Sequence, residues 1–496
     1  MKFKVKDVDI ATGDTKIVLL NQIDAEKMDI HHSDRVVITK GKRKTVAVVD
    51  IGESSKAVKP GSIGLFEEVL DALNAKNNDT VDIKLGKKPK SIDFIKKKLE
   101  GKELTAGEIK EIVSDIVNDS LTYIELTSYV TANYAEGMSK REIYDLTKAM
   151  VDTGVKIKPP RKPVADIHSI GGVPGNRVTM VVVPIVAAAG VMFPKTSSRA
   201  ITSPSGTADT MEVLAPVVEN KRTLEKILKE VGAFIVWGGA INLAPADDKI
   251  IKIEHPLQID AEGQMLASIM AKKSSVGSTH LLMELPIGPH AKLKTKREAI
   301  HLKKQFEFLC RKLKIKIMTI FARGEVPIGR GIGPVLEARD VLWVLQNDEC
   351  GPRDLREKSL DYSGKLLELV GKAEKGKGYK MAKKLLESGA AYKKMIEIIE
   401  AQGGKVITPG QLKPARFCKD IFAKSSGKVA SINIHAIAKM ARMAGCPRDA
   451  RAGVYLHKMV GESVKKGERI YTVYAEGINS LKEAVKECNG DCVVIK

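Results

Sequence analysis

The feature that most limits how this chain can fold is an alternation, between about residues 163 and 410, of short apolar runs with helical periodicity. VADIHSIGG, VTMVVVPIVAAAG, LEKILKEVGAFIVWGG and IKIMTIF follow one another with turn residues between them. Strands buried on both faces need helices to cover them, so this order predicts an α/β domain built on a central sheet. The longest apolar stretch, Val178 to Phe193, is broken by Pro184 and Gly190. It is too short to cross a bilayer, and no membrane partner is expected.

The flanks read differently. A chain of 496 residues exceeds what one hydrophobic core organises, so several domains are expected. Residues 1–84 hold short alternating runs (KFKVKDVDI, TKIVLL, RVVITK, TVAVVDI) and predict a small β-barrel-like domain. From Lys87 the period becomes helical, with a capping box spelled by Thr105 to Glu108. Residues 85–162 are expected to form a helical lobe, joined by about 245–275, before the α/β domain of 163–410. SGKVASINIH, AGVYLHKMVG and RIYTVYAEG predict an α+β unit over 411–496. Within it, GESVKKGERIY is similar to a carrier-domain turn but lacks a Met-Lys-Met context, so it reads as structural.

Composition narrows the function. The formal charge of +21 raises nucleic-acid binding, since a basic face releases counterions from phosphates. However, the lysines are interleaved with acids, as in Lys96 to Ile112, and aromatics are only 4%, too few for a base-stacking platform. A lysine-rich surface, suited to high temperature or to a small anionic substrate, is the better reading. Six scattered cysteines give no metal-ligand spacing, so no metal is expected. A Cys488–Cys492 disulfide is open only if the source is a thermophile. The first residues lack the pattern of a secretory signal, which places the protein in the cytoplasm.

Two loops at the predicted strand ends concentrate glycine and hydroxyl groups, where chemistry gathers in such sheets. The first runs from Asp166 to Gly172, DIHSIGG. Its glycines let backbone N–H groups approach an anion, although an ordinary strand-to-helix turn has the same composition. The second, Lys195 to Glu212, reads KTSSRAITSPSGTADTME and packs hydroxyls, one arginine and one glycine ahead of the ordered run MEVLAPV.

The pairing of DIHSIGG with SSRAITSPSGTADTMEVL resembles the thymidine and pyrimidine-nucleoside phosphorylase family, from about Asp93 to the end of the chain. The extra N-terminal β domain is similar to an archaeal branch that takes nucleoside 5′-monophosphates. The resemblance implies a pentosyltransferase that uses inorganic phosphate to cleave AMP, with CMP and UMP as further candidates, into base and ribose 1,5-bisphosphate. It implies no organic cofactor and a homo-oligomer, at least a dimer. The alternative is a pyrimidine-nucleoside phosphorylase. A phosphoribosyltransferase is disfavoured, because no acidic pair stands ready for metal-bound diphosphate.

By the same resemblance Ser169, Gly171 and Gly172, with Ser197, Ser198, Arg199, Ala200, Ile201, Thr202, Ser203 and Thr207, bind the attacking phosphate or the nucleotide. Hydroxyl and N–H donors suit an anion that must still react. Arg199 offers a planar fork for a phosphate, against the simpler reading of a brace within the loop. In PLQIDAEGQMLASIMAKKSSVG, the residues Asp260, Gln264, Ser268 and Lys272 are four apart and would share one helix face. The resemblance assigns Ser268 and Lys292 to nucleotide binding, with Lys272 a weaker candidate, and Asp260 as proton donor to the departing base; as a plain helix cap Asp260 would be equally at home. Two departures argue against a strict uridine or thymidine enzyme. Ile167 stands where those enzymes carry a lysine before the histidine, and KIEHPLQID supplies no arginine to read a pyrimidine. His168 is consequently only a second candidate acid.

Overall fold

A computed structural model of the chain describes residues 1–13, 15–200, 203–289, 291–487 and 492–496. The chain divides into two compact units, Met1–Ala149 with Ala246–Gln264, and Met150–Pro245 with Met265–Lys496.

The first unit begins with a closed six-stranded barrel, whose strands run in the order Lys2–Asp7, Ser62–Leu65, Ile17–Asn21, Arg43–Gly52, Arg35–Lys40, Thr80–Leu85. Alternation drives it: Phe3, Val5, Val18, Leu20, Val36, Ile38, Val49, Ile63, Val81 and Ile83 point inward and are buried, while most of their neighbours are exposed or half-buried. Closure removes the exposed sheet edges that short strands would otherwise present. Four helices follow, Ser91–Leu99, Ala106–Val117, Tyr123–Glu136 and Lys140–Thr153. Thr105 and Glu108 form the capping box expected of them, and Thr122 with Glu125 forms a second. Ion pairs fasten the barrel to these helices, Arg35 to Glu125 and Lys16 to Asp119 at 2.6 Å. Lys249 brings the returning segment onto the same site, pairing with Asp119 and donating to the carbonyls of Ile116 and Val117 at 2.9 Å each.

The second unit is built on parallel strands. Lys316–Arg323, His280–Ile287 and Ala165–Ser169 form one sheet, Phe193–Ser197 and Ala233–Trp237 another. A parallel bridge between Val164 and Met192 links the two groups. The apolar run from Val178 becomes the helix Val178–Ala188, buried along nearly its whole length and carrying Pro184. It packs into a core with Leu360, Leu366, Met395 and Ile398 from the helices Arg353–Leu369 and Ala390–Ala401. Among the described residues no helix is long and apolar enough to cross a membrane. At the C-terminal end, Gly331–Ile332, Gly453–Leu456, Arg469–Ala475 and Phe417–Phe422 form a four-stranded sheet. The helices Ile434–Met443 and Ile478–Glu487 accompany it. Cys492 is disulfide-bonded; Cys488, the partner considered for it, lies outside the described residues.

Candidate functional site

The first loop leaves the end of the strand Ala165–Ser169 and turns at Gly171 and Gly172, with φ of 90° and 89°. L side chains rarely adopt that conformation, so glycine is required on backbone grounds alone. The turn brings Gly172 against Lys292: a Cβ on Gly172 would stand 3.2 Å from the Lys292 backbone nitrogen. Ser169 is paired in register with Glu284 on the neighbouring strand. The Glu284 carboxylate accepts from Ser169 and from Asn176 Nδ2 at 3.1 Å, and Lys358 meets it at 2.5 Å. Burial alone would raise this carboxyl, but Lys358 and the hydrogen bonds outweigh it and hold Glu284 below the usual glutamate range.

The second loop folds back on itself. The Asp209 carboxylate accepts from the backbone N–H of Ala200 at 2.7 Å and of Gly206 at 2.8 Å. No larger residue fits at Gly206, whose Cβ would stand 2.6 Å from the Ser198 carbonyl oxygen. Arg199 donates to Asp209 at 3.2 Å and bidentately to Glu212 at 2.5 and 2.8 Å, and lies over the Trp237 ring at 4.9 Å. The fork expected to face a phosphate therefore grips two carboxylates of its own loop, which gives the GTADTME run its loop-bracing chemistry. Beyond that brace, the exposed Ser198 presents its hydroxyl as well as backbone, and Ala200 backbone alone. Ser197 Oγ donates to the Ser198 carbonyl at 3.2 Å and Ser203 Oγ to that of Ser205 at 2.7 Å. Ile201 and Thr202 lie outside the described residues.

Arg177, which immediately precedes the helix Val178–Ala188, ties the two loops together. Its guanidinium donates to Thr207 Oγ1 at 3.2 Å, to the Ser205 carbonyl and to Glu337, and is buried. Glu337 in turn accepts from Thr210 Oγ1 at 2.9 Å. Lys195, two residues before Ser197, donates to the Ile167 carbonyl at 2.6 Å. Beside it, Asp166 Oδ1 accepts from Lys273 at 2.9 Å and lies 3.5 Å from Lys195, while Oδ2 accepts from Ser278 at 3.1 Å. Burial, and then Lys273, pull the Lys195 ammonium well below the ordinary lysine value, against the attraction of Asp166.

The remaining candidates are distributed along Glu262–Ser275. Ser268 accepts from Lys272 Nζ at 3.4 Å, one turn apart on this helix. Asp260, however, lies two residues before the first helical residue and is exposed, so it does not continue the stripe of Gln264, Ser268 and Lys272. It belongs to the first unit, whereas Ser268, Lys272, Lys292 and both loops belong to the second. His168 is held neutral, by burial first and then by Lys273, Lys195, Lys272 and Lys292, whose charges oppose a proton on its ring. That environment removes it as a general acid at neutral pH.

Arg177, Glu337, Asp166, Lys195, Lys273 and Glu284 were not among the expected site residues. A signal did exist for three of them. Asp166, Lys195 and Glu284 are charged residues in strands buried along most of their length, where a charge persists only with a partner.

Known proteins are consistent with this geometry. Three family models match, the glycosyl transferase family helical bundle domain over residues 92–154, its α/β domain over 161–279, and the pyrimidine nucleoside phosphorylase C-terminal domain over 428–494. AMP phosphorylase of Methanococcoides burtonii is 43% identical over 487 residues, 98% of this chain and 95% of that one. AMP phosphorylase 1 of Archaeoglobus fulgidus is 43% identical over 496 residues, 100% of this chain and 97% of that one. In fold alone, anthranilate phosphoribosyltransferase from Thermus thermophilus superposes with a TM-score of 0.53 at 19% identity, over 63% of this chain and 100% of its own. Near-complete coverage at that identity, together with the two loops and their brace, leaves one conclusion: the chain belongs to the AMP phosphorylases, within the thymidine and pyrimidine-nucleoside phosphorylase family.

Proposed function

We propose that the protein is an AMP phosphorylase, cleaving AMP, and also CMP and UMP, with inorganic phosphate into free base and ribose 1,5-bisphosphate. The observation that carries this reading is the joining of the two anion-suited loops, Gly172 against Lys292 and Arg177 to Thr207, in a chain similar over its whole length to AMP phosphorylases.

Phosphorolysis places an anionic nucleophile beside a sugar carbon with oxocarbenium character while the base departs. Ser169, Gly171, Gly172, Ser197, Ser198 and Thr207 supply hydroxyl and N–H donors on a backbone set before the substrate arrives; the Ser169 and Ser197 hydroxyls, turned toward Glu284 and the Ser198 carbonyl, rotate onto the anion. Ser203, Ser268 and Lys292 hold the nucleotide, as do Ile201 and Thr202. Arg199 acts here as the brace that sets the Ser198–Ala200 backbone. Asp260 protonates the leaving base. The assembly is a homo-oligomer, at least a dimer, acting in the cytoplasm without metal or organic cofactor.

The test is phosphate-dependent release of base from AMP, adenosine and uridine compared side by side. Binding energy from the 5′-phosphate, remote from the reacting bond, is realised in the transition state, so adenosine should lose kcat as well as gain KM. Equal kcat/KM for AMP and adenosine would return the nucleoside alternative.

A further inference from the structure

We propose that Lys195, backed by Lys273, is the cationic floor of the phosphate subsite, and that inorganic phosphate is the anion that balances it. The inference rests on the phosphorolytic reading and extends it to residues outside the loops. Lys195 lies on the strand Phe193–Ser197, and its Nζ donates at 2.6 Å to the carbonyl of Ile167 on the adjacent strand. Ser197 is two residues beyond Lys195, and Ser169 two beyond Ile167. The ammonium is thus set between the bases of both loops.

Charge arithmetic gives the arrangement its meaning. Lys195 and Lys273 share one carboxylate, Asp166, and the three side chains are 5%, 3% and 0% exposed. With both lysines protonated, the cluster carries one positive charge more than its own acid cancels. A buried surplus charge is costly, and a single lysine–aspartate pair would serve a purely structural purpose at lower cost. Lys273 and Lys195 also oppose a proton on the His168 ring. An arriving phosphate anion turns this repulsion into attraction, in surroundings that screen it far less than water does. It also favours the charged form of Lys195, whose ammonium is otherwise depressed by burial and by Lys273. Phosphate binding should therefore draw a proton into the cluster.

The experiment is calorimetric titration of the full chain with inorganic phosphate alone, in two buffers of different ionisation enthalpy at mildly basic pH. The wild type is expected to take up a proton as phosphate binds. Lys195→Met leaves a balanced Lys273–Asp166 pair, so its Tm should equal or exceed that of the wild type. Phosphate affinity should fall by about tenfold or more, the size of a lost charge-assisted contact. Proton uptake should diminish, and KM for phosphate should rise more than KM for AMP. Lys273→Met serves as the second variant, since it removes the same surplus from the other side. Unchanged phosphate affinity in whichever variant folds, or affinity lost in step with Tm, overturns the proposal. No nucleotide is present in the titration. A wild type that binds phosphate with proton uptake but releases no base from AMP would therefore sink the enzymatic reading and leave the subsite standing.

Discussion

Arg177 Nη1 donates to Thr207 Oγ1 at 3.2 Å, joining the end of the glycine turn to the start of the short helix Thr207–Glu212. The same guanidinium holds the Ser205 carbonyl and Glu337, so one buried cation sets the spacing of both loops. Arg177→Met should strand Glu337 in the interior and cost about 3–5 kcal/mol of stability, the range for breaking a buried pair. Adding Glu337→Gln should restore part of that loss, because the orphaned charge is gone. Denaturant midpoints of the two single variants and the double variant measure the coupling; strictly additive losses would show that the pair does not act as a unit.

Asp260→Asn retains the shape of the side chain and removes its titratable proton. Adenine leaves poorly as an anion, and a general acid typically contributes about 10²–10⁴-fold. A fall in kcat of that order is expected, with nearly unchanged Tm and a modest change in KM, because the side chain is exposed and precedes the helix. Near wild-type turnover would remove Asp260 from the mechanism.

Glu284 predicts a limb of the acid stability profile. Its folded pKa is lowered from the ordinary 4.5. The sign follows from linkage: stability from such a group is fully present above its unfolded pKa and is lost as pH falls through the lower, folded one. Glu284→Gln should therefore flatten the loss of stability below about pH 4.5 relative to wild type, while lowering stability at neutral pH where Lys358 loses its partner. Acid titrations followed by circular dichroism would show it, and parallel acid limbs would contradict it.

Removal of residues 1–84 should leave a folded, active enzyme of lower assembly mass, since none of the candidate site residues lies in the barrel. The loss of Lys16 and Arg35 unpairs Glu125, whereas Asp119 keeps Lys249. A modest fall in Tm is therefore expected, and Glu125→Gln in the truncated chain should recover some of it. A truncated protein that is folded and dimeric yet inactive would place part of the site in the barrel.

What the sequence determined by itself was set by local periodicity and local chemistry. Alternation along KFKVKD and its neighbours specified inward and outward faces of the barrel strands, and Thr105 with Glu108 announced a helix start three residues apart. The composition of DIHSIGG and KTSSRAITSPSGTADTME likewise marks both loops by itself. The tertiary structure decided how those pieces are used. Whether Arg199 faces a phosphate or its own loop depended on where Glu212 lies in space, and it grips Glu212. Asp260 was expected on the polar face of the following helix, but the helix starts two residues later and leaves it outside the stripe. The Asp166 cluster was hidden most deeply, because its lysines stand 29 and 107 residues away along the chain. Periods of 2.0 and 3.6 residues report which face of an element is buried. They carry nothing about which distant charge will meet it there, and that pairing is fixed only when the parallel strands and the helix Glu262–Ser275 come together.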